Sequence, residues 1–293
     1  MATSNGRLSG RVAIVTGSTT GIGEAIARRF AAEGARVMLH GRRRDEAERV
    51  ASSIAGDPHT AVDFFLADLG DPTSAEALVA STLERFGQLD IVVNNAAVMT
   101  RGDLEATDAA TFDRTIAVNL RAPLLVVRAA LPAFRSRGGG TVVNIGSVNG
   151  YCGERNQLAY AITKGGLMTM SRNLADAHAT ENIRVCHLNV GWVLTPGEYA
   201  LKEREGLPPG WPGTLGPDVA PSGKLLSPEV IAHFALAFVD PAAGAVNGAV
   251  VNLEQYPVIG RNPEKEVTLA ADRPSKRASR TEGKSLTGKP GQL

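Results

Sequence analysis

Residues 16–23, Thr16-Gly17-Ser18-Thr19-Thr20-Gly21-Ile22-Gly23, constrain this chain more than any other stretch. They follow a short apolar run, Val12–Val15, and open a segment in which Ile22, Ile26 and Phe30 fall on one helical face. A strand that passes through a glycine-rich turn into a helix is the start of a βαβ unit. Glycines let the backbone turn sharply and approach a ligand closely, and the free N–H groups at the helix start, aided by its dipole, favour phosphate. The turn therefore predicts that Gly17, Ser18, Thr19, Thr20, Gly21, Ile22 and Gly23 cradle a dinucleotide pyrophosphate. The competing reading is a bare structural turn.

The same rhythm recurs along the chain. Apolar runs at residues 37–39, 62–66, 91–93, 142–145 and 185–188 alternate with helical patterns at 73–86, 109–135 and 158–179. Continuous apolar strands separated by helices predict a parallel sheet buried on both faces, a doubly wound, Rossmann-like α/β fold in a single domain over residues 1–260. Two regions break the pattern. Residues 195–226, rich in Gly and Pro, read as an irregular substrate loop ahead of a helix starting near Pro228. Residues 261–293 are polar and poor in large apolar side chains, and read as a disordered or subunit-packing tail. A formal net charge of +1 gives no field for nucleic acid or an acidic membrane. No apolar run is expected to span a bilayer, and no secretory segment is seen at the N-terminus. Cys152 and Cys186 lack metal or disulfide spacing and the histidines do not cluster, so metal-free chemistry in the cytoplasm is expected.

Cofactor choice is read at the end of the second strand, where an acidic residue would hold the ribose hydroxyls of NAD. Here the chain has Gly41-Arg42-Arg43-Arg44. A guanidinium pairs with a 2′-phosphate, so NADP(H) is favoured over NAD(H), with Arg42 as the contact. The alternative is a solvated basic loop paired with Asp45 and Glu46. Asp68, with Leu69 beside it, follows the third strand and is placed to accept from the adenine amino group; a helix-capping role suits Asp71 better. Asn95 and Ala96, in Asn94-Asn95-Ala96-Ala97, would let the cofactor lie against the backbone.

Tyr160 and Lys164 are four apart in a helical pattern and so share a face. A free phenol has a pKa near 10, and a neighbouring ammonium is expected to lower it toward the working range. Ser147, at a strand's carboxyl end, faces the crevice where open α/β sheets bind ligands. Asn119 lies inside a long helical stretch that does not favour Asn. The ordered set resembles the short-chain dehydrogenase/reductase family over roughly residues 8–253: TGSTTGIG matches its cofactor turn, and YAITK its Tyr-x-x-x-Lys signature. The resemblance implies a seven-stranded parallel sheet, a catalytic tetrad of Asn119, Ser147, Tyr160 and Lys164, and a sheet-stabilising Asn94. It further implies nicotinamide contacts from Val193 and Thr195, a second role for Tyr160 and Lys164 in holding the cofactor, and a homo-oligomer, tetramer or dimer. The implied activity is hydride transfer between a nicotinamide dinucleotide and a small carbonyl or alcohol. Polar candidates along the cleft, among them Asn149, Glu154, Arg155, Gln157 and Glu198, suit a sugar, polyol or hydroxy acid. Three positions depart from the family pattern: Ala97 and Val190 replace Gly and Pro, and residues 248–256 lack an Asp-Gly-Gly ending. The alternative in a different class is a non-catalytic NADP-binding sensor or scaffold of the same fold.

Overall fold

The computed structural model describes residues 6–55, 61–217 and 219–255, all within one compact unit, Met1–Pro263. The expected tail at 261–293 lies outside the described residues. Strands β1 (Val12–Val15), β2 (Arg36–Gly41), β3 (Val62–Leu66), β4 (Ile91–Asn94), β5 (Gly140–Ser147), β6 (Ile183–Val190) and β7 (Val250–Leu253) form one seven-stranded sheet ordered β3-β2-β1-β4-β5-β6-β7. Every pair is parallel, with Val15 opposite Leu39 and Val93, and Ser147 opposite Val190. The expected strands are all present; the sheet is longer at several ends than the apolar runs alone predicted.

Successive strand residues point to opposite faces, so a sheet covered on both sides needs apolar residues at every position. β1 shows this directly. Ala13 and Val15 join Ile26 and Phe30 of α1 (Gly21–Ala32), Val50 of α2 (Arg44–Ile54) and Leu236 of α9 (Pro228–Val239) in one core. Val12 and Ile14 point the other way, into a second core with Leu78 of α3 (Ser74–Phe86), Phe134 of α5 (Ala122–Ser136) and Ala175 of α7 (Leu158–Ala177). The strand order reverses between β1 and β4, and the carboxyl ends there frame the crevice in which such sheets bind ligands.

Three segments differ from expectation. The stretch predicted as one helix over 109–135 is α4 (Ala109–Ile116), a π-turn at Ala117–Arg121 that carries Asn119, and α5. Contrary to the expectation that no apolar run spans a bilayer, this continuous Ala109–Ser136 segment could cross one by length and composition; half of its most apolar 18-residue stretch is buried, and Val126, Val127, Ala130 and Phe134 lie in the second core. α3 starts at Ser74 with Thr73 at its N-cap, while Asp71 accepts from Thr73 N at 2.9 Å and so shapes the turn before the helix. Finally, residues 195–226 are far from irregular. They hold α8 (Pro196–Arg204) and a 3-10 turn, Trp211–Thr214, around a small core of Trp211, Ala220 and Leu225 packed by Trp192, Leu194 and Tyr199.

Candidate active site

The glycine turn is built by its own packing. Gly17 and Gly21 have φ of +62° and +57°, the left-handed region that glycine enters without cost. A Cβ on Gly17 would lie 2.9 Å from Ala96 Cα, and one on Gly23 would lie 2.2 Å from Gly17 O. Asn95 fixes the other side of the turn, donating from Nδ2 to Thr16 O and Gly17 O at 2.9 and 3.0 Å. His40, considered in the sequence only as a metal ligand, braces it from β2: Gly17 N donates to its Nδ1 at 3.2 Å and Ser18 N to its carbonyl at 2.9 Å. Nothing in the sequence except its place at the end of β2 signals that role. Gly23→Ala is expected to cost about 1–3 kcal/mol through overpacking and to lower Tm by about 2–4 °C per kcal/mol. Calorimetry of the variant checks it, and an unchanged Tm would mean that the turn yields freely.

The turn leaves room for an anion. The α1 N-cap, Thr20, makes no side-chain capping bond, so the first-turn N–H groups of Gly21, Ile22 and Gly23 face the cleft without a capping group. Thr195 stands across from them, its methyl 3.3 Å from where a Gly21 Cβ would sit, and Val193 is buried two residues before it. At the end of β2 a Cβ on Gly41 would meet the Thr19 side chain at 2.5 Å, so Thr19 and Gly41 are in close apposition. Arg43 pairs with Glu46, and Arg44 with Glu48 at 3.2 Å; Arg42 has no ion-pair partner among the described residues. Asp68 is tied to Arg114 at 2.8 Å, which holds its carboxyl below the usual range, and its Oδ1 also accepts from Gly70 N. Leu69 beside it is buried. Ala97, the methyl in place of the family's glycine, is exposed. These residues fit a dinucleotide: an uncapped helix start, a glycine-lined approach and the Arg42 guanidinium lie in sequence along the sheet's carboxyl edge.

The candidate reacting groups meet at the end of β5. Tyr160 and Lys164 share one face of α7, with Lys164 Nζ 5.5 Å from the centre of the Tyr160 ring. Burial pushes the Tyr160 phenol up to about 12, while a hydrogen bond with Ser147 pulls it down and the Glu198 carboxylate adds to the rise. Lys164 Nζ donates to Ile145 O at 2.7 Å, and burial lowers its ammonium to about 8. In the free protein burial has the largest influence on the phenol, and Lys164 is not among the groups that shift it. Ser147 Oγ accepts from Asn149 N at 3.2 Å, and its own proton is directed to the Tyr160 oxygen. Asn119 stands one step back. Its Oδ1 accepts from Val98 N at 2.8 Å and its Nδ2 donates to Val98 O at 2.9 Å and Thr163 Oγ1 at 3.3 Å; Thr163 in turn donates to Tyr160 O. The π-turn supplies this reach, as such turns often do at functional sites.

A polar lattice registers α7 on the sheet. Asn94 donates to Asn144, Asn144 to Ser171, and Ser171 Oγ lies 2.9 Å from His187 Nδ1. His187 Nε2 meets Asn189 Oδ1 at 2.9 Å, and Asn189 donates to Asn252 of β7. Gly146 is required here, because a Cβ would fall 2.0 Å from His187 Nε2.

The profile of the short chain dehydrogenase family matches residues 11–206. The chain belongs to that family. This dehydrogenase is 35% identical over 205 residues to trans-4-hydroxycyclohexanecarboxylate dehydrogenase of Sinomonas cyclohexanicum, covering 68% of this chain and 79% of that one. It is 34% identical over 252 residues to galactitol 2-dehydrogenase (L-tagatose-forming) of Cereibacter sphaeroides, covering 85% and 95%. The structure of L-sorbose reductase from Gluconobacter frateurii, complexed with NADPH and L-sorbose, superposes with a TM-score of 0.80 at 29% identity, covering 84% of this chain and 96% of that one. The protein is an NAD(P)-dependent oxidoreductase that interconverts a carbonyl and an alcohol.

Proposed function

We propose that this dehydrogenase uses NADP(H) to interconvert a polyol and its ketose, with Tyr160 as the general acid/base. The observation that carries the reading is the convergence of Ser147, Tyr160 and Lys164 at the carboxyl end of β5, in the crevice that the uncapped start of α1 also opens into. A bound nicotinamide supplies or takes up the hydride. Ser147 donates its hydroxyl proton to the substrate oxygen and fixes it beside the phenol. Reduction transfers the Tyr160 proton to the forming alkoxide, and oxidation returns it. Lys164 gives one N–H to Ile145 O and keeps its others for a ribose hydroxyl and for the phenolate that forms. Asn119, by holding the Val98 backbone through both its N–H and its carbonyl, fixes the start of the loop at 98–103. The polyol and ketose chemistry of galactitol 2-dehydrogenase and L-sorbose reductase supports the substrate class. Following nicotinamide absorbance with L-sorbose and NADPH, and with galactitol and NADP, tests it; turnover confined to simple ketones removes the polyol assignment.

Arg42 supports the preference for the 2′-phosphate, since its two neighbours are already paired. Arg42→Ala is expected to raise the dissociation constant for NADPH about 10- to 100-fold, the loss of a charge-assisted contact, and to leave NADH within about threefold. Fluorescence titration with both cofactors reads the difference, and equal losses would dismiss the arginine as a phosphate reader. Cytoplasmic placement and assembly as a tetramer or dimer complete the reading. They are supported by the free thiols of Cys152 and Cys186 and by exposed Leu124, Ile162, Val230 and Phe234 on the outer helices.

A further inference from the structure

We propose that Gln157 sets substrate specificity, its carboxamide Nε2 donating a hydrogen bond to a hydroxyl oxygen one or two carbons from the reacting carbon, with Asn149 as the positioning residue that aims it. This deepens the reading above and rests on Tyr160 being the acid/base.

Gln157 stands where a shorter side chain is expected. It is the N-cap of α7, a position that favours Ser, Thr, Asp or Asn, whose side chains reach back to the first N–H groups of the helix. Gln157 makes no such bond. Its side chain runs instead to α6 (Asn149–Cys152), where Oε1 accepts from Asn149 Nδ2 at 3.2 Å; both residues are buried. Holding the chain does not require that reach, because the backbone is already fixed. Gln157 N donates to Glu154 O at 3.0 Å and Ala161 N to Gln157 O at 2.8 Å. On either side, Gly102 N donates to Asn156 O at 2.8 Å and Leu158 N to Gly102 O at 3.0 Å.

The carboxamide is only half used. Asn149 occupies Oε1, and nothing among the described residues accepts from Nε2. Nor is that nitrogen sealed. Among the described residues, the buried side-chain atoms that are both unpartnered and shut off from solvent are Arg29 Nε and Trp211 Nε1, and Gln157 Nε2 is not one of them. Gln157 is 6% exposed, so a side chain more than nine-tenths buried keeps an opening at its donor end. A donor held in this way is destabilising until a ligand completes it. A flip of Gln157 alone would not relieve it, since that sets Nε2 against Asn149 Nδ2, donor facing donor.

The groups around that opening belong to the reaction site. Asn149, which holds the oxygen end, donates from its own backbone N to Ser147 Oγ at 3.2 Å. Tyr160 follows Gln157 by three residues, one turn of α7 and about 5 Å along its axis. The amide therefore stands between the strand end that carries the serine and the helix start that carries the phenol, with Gly102 of the loop after β4 beside it. That separation suits a hydroxyl near the reacting carbon rather than the reacting oxygen itself. An amide nitrogen gives protons, takes none and carries no charge. It pairs with a hydroxyl oxygen, and a substrate that presents bare methylenes there leaves it unpaired.

The test is the split between KM and kcat in the NADPH-loaded enzyme. Gln157→Met keeps the length and burial of the side chain and removes the donor. It is expected to raise KM for L-sorbose about 3- to 10-fold, the scale of a hydrogen bond between neutral groups, with kcat within about twofold. In the same variant kcat/KM for cyclohexanone, a ketone without hydroxyls, stays within about twofold of wild type, and with NADP the KM for galactitol rises by a like factor. Asn149→Ala keeps the backbone N–H that serves Ser147 but releases the amide, and is expected to raise KM for L-sorbose about 2- to 5-fold with NADPH bound as in wild type. An unchanged KM for L-sorbose in Gln157→Met, or equal losses on L-sorbose and cyclohexanone, overturns the assignment and leaves the dehydrogenase reading intact. If Gln157→Met does not fold, Asn149→Ala decides, and an unchanged KM there overturns the assignment in the same way. A wild type that reduces simple ketones but accepts neither L-sorbose nor galactitol overturns the polyol reading and this inference together, before any variant is made.

Discussion

Tyr160→Phe lowers kcat by about 10²- to 10⁴-fold and leaves the dissociation constant for NADPH within about threefold of wild type. The substitution removes one oxygen. The ring stays packed on α7 against Lys164, and the tie from Thr163 Oγ1 goes to the Tyr160 carbonyl, which the variant keeps. What disappears is the proton that must reach the substrate oxygen as hydride reaches carbon, so the loss belongs to the transition state and appears in kcat. The direction of the reaction bears on pH. With the phenol held at about 12 in the free protein, Tyr160 is a proton donor throughout the neutral range, and reduction meets it in the required form. Oxidation needs the phenolate, so its rate is expected to climb with pH well above neutrality, with the climb absent in Tyr160→Phe. Single-turnover absorbance measurements beside a cofactor titration separate the two effects. Turnover retained in the variant would remove Tyr160 from the chemistry, and cofactor binding with no turnover in the wild type would favour a sensor.

The order of elements and the residues at their ends were legible because they follow from local rules. The β1-turn-α1 passage announces itself through glycines that the backbone needs, and a four-residue step on a helix must bring Tyr160 and Lys164 together. Ser147 was found because a strand's carboxyl end is where the crevice lies. What escaped was set by partners far away in the chain. The π-turn at Asn119 exists because its amide grips Val98, and hydrophobic periodicity is blind to one extra residue in a turn. His187 and His40 look like ordinary residues of apolar strands; only the packed sheet shows His40 accepting from Gly17 N and His187 bridging Ser171 and Asn189. The fold of 195–226 was missed for a different reason. Its Gly and Pro content masked a Thr195-Pro196 helix start, a signal that was present and readable, whereas the stacking of Trp192 on Trp211 is visible only in the packed chain.

Those two histidines predict acid lability. Burial lowers both His40 and His187 from 6.5 to about 4, so each stays neutral in the folded protein where an unfolded chain would be charged. Between those two pH values the unfolded state binds more protons, so stability is full above about 6.5 and is lost as pH falls toward 4. Each shift corresponds to about 3 kcal/mol, and the pair to about 6 kcal/mol, a large share of the roughly 5–15 kcal/mol that holds a domain folded. The geometry says why the rings resist protonation. His40 Nδ1 accepts from Gly17 N while Nε2 faces Ala67 O, and His187 Nε2 faces Asn189 Oδ1 while Nδ1 faces Ser171. A proton on His40 Nδ1 turns an acceptor into a donor and sets two donors against each other inside the glycine turn. His187 is buried in the lattice that registers α7 on β5 and β6, where burial disfavours the charged ring. Carboxylates such as Asp68, held low by Arg114, lose their contribution only at more acid pH, outside this window. Denaturant titrations from pH 7 to 4 are expected to show stability falling by up to about 3 kcal/mol per pH unit, two protons' worth, with NADPH affinity falling in parallel. In the double variant His40→Asn, His187→Gln the absolute stability drops but this slope flattens, and the slope is the readout that distinguishes titration from packing. A wild-type protein equally stable at pH 6.5 and 4.5 would show that neither ring is protected, and that the bracing of the glycine turn from β2 does not hold it in solution.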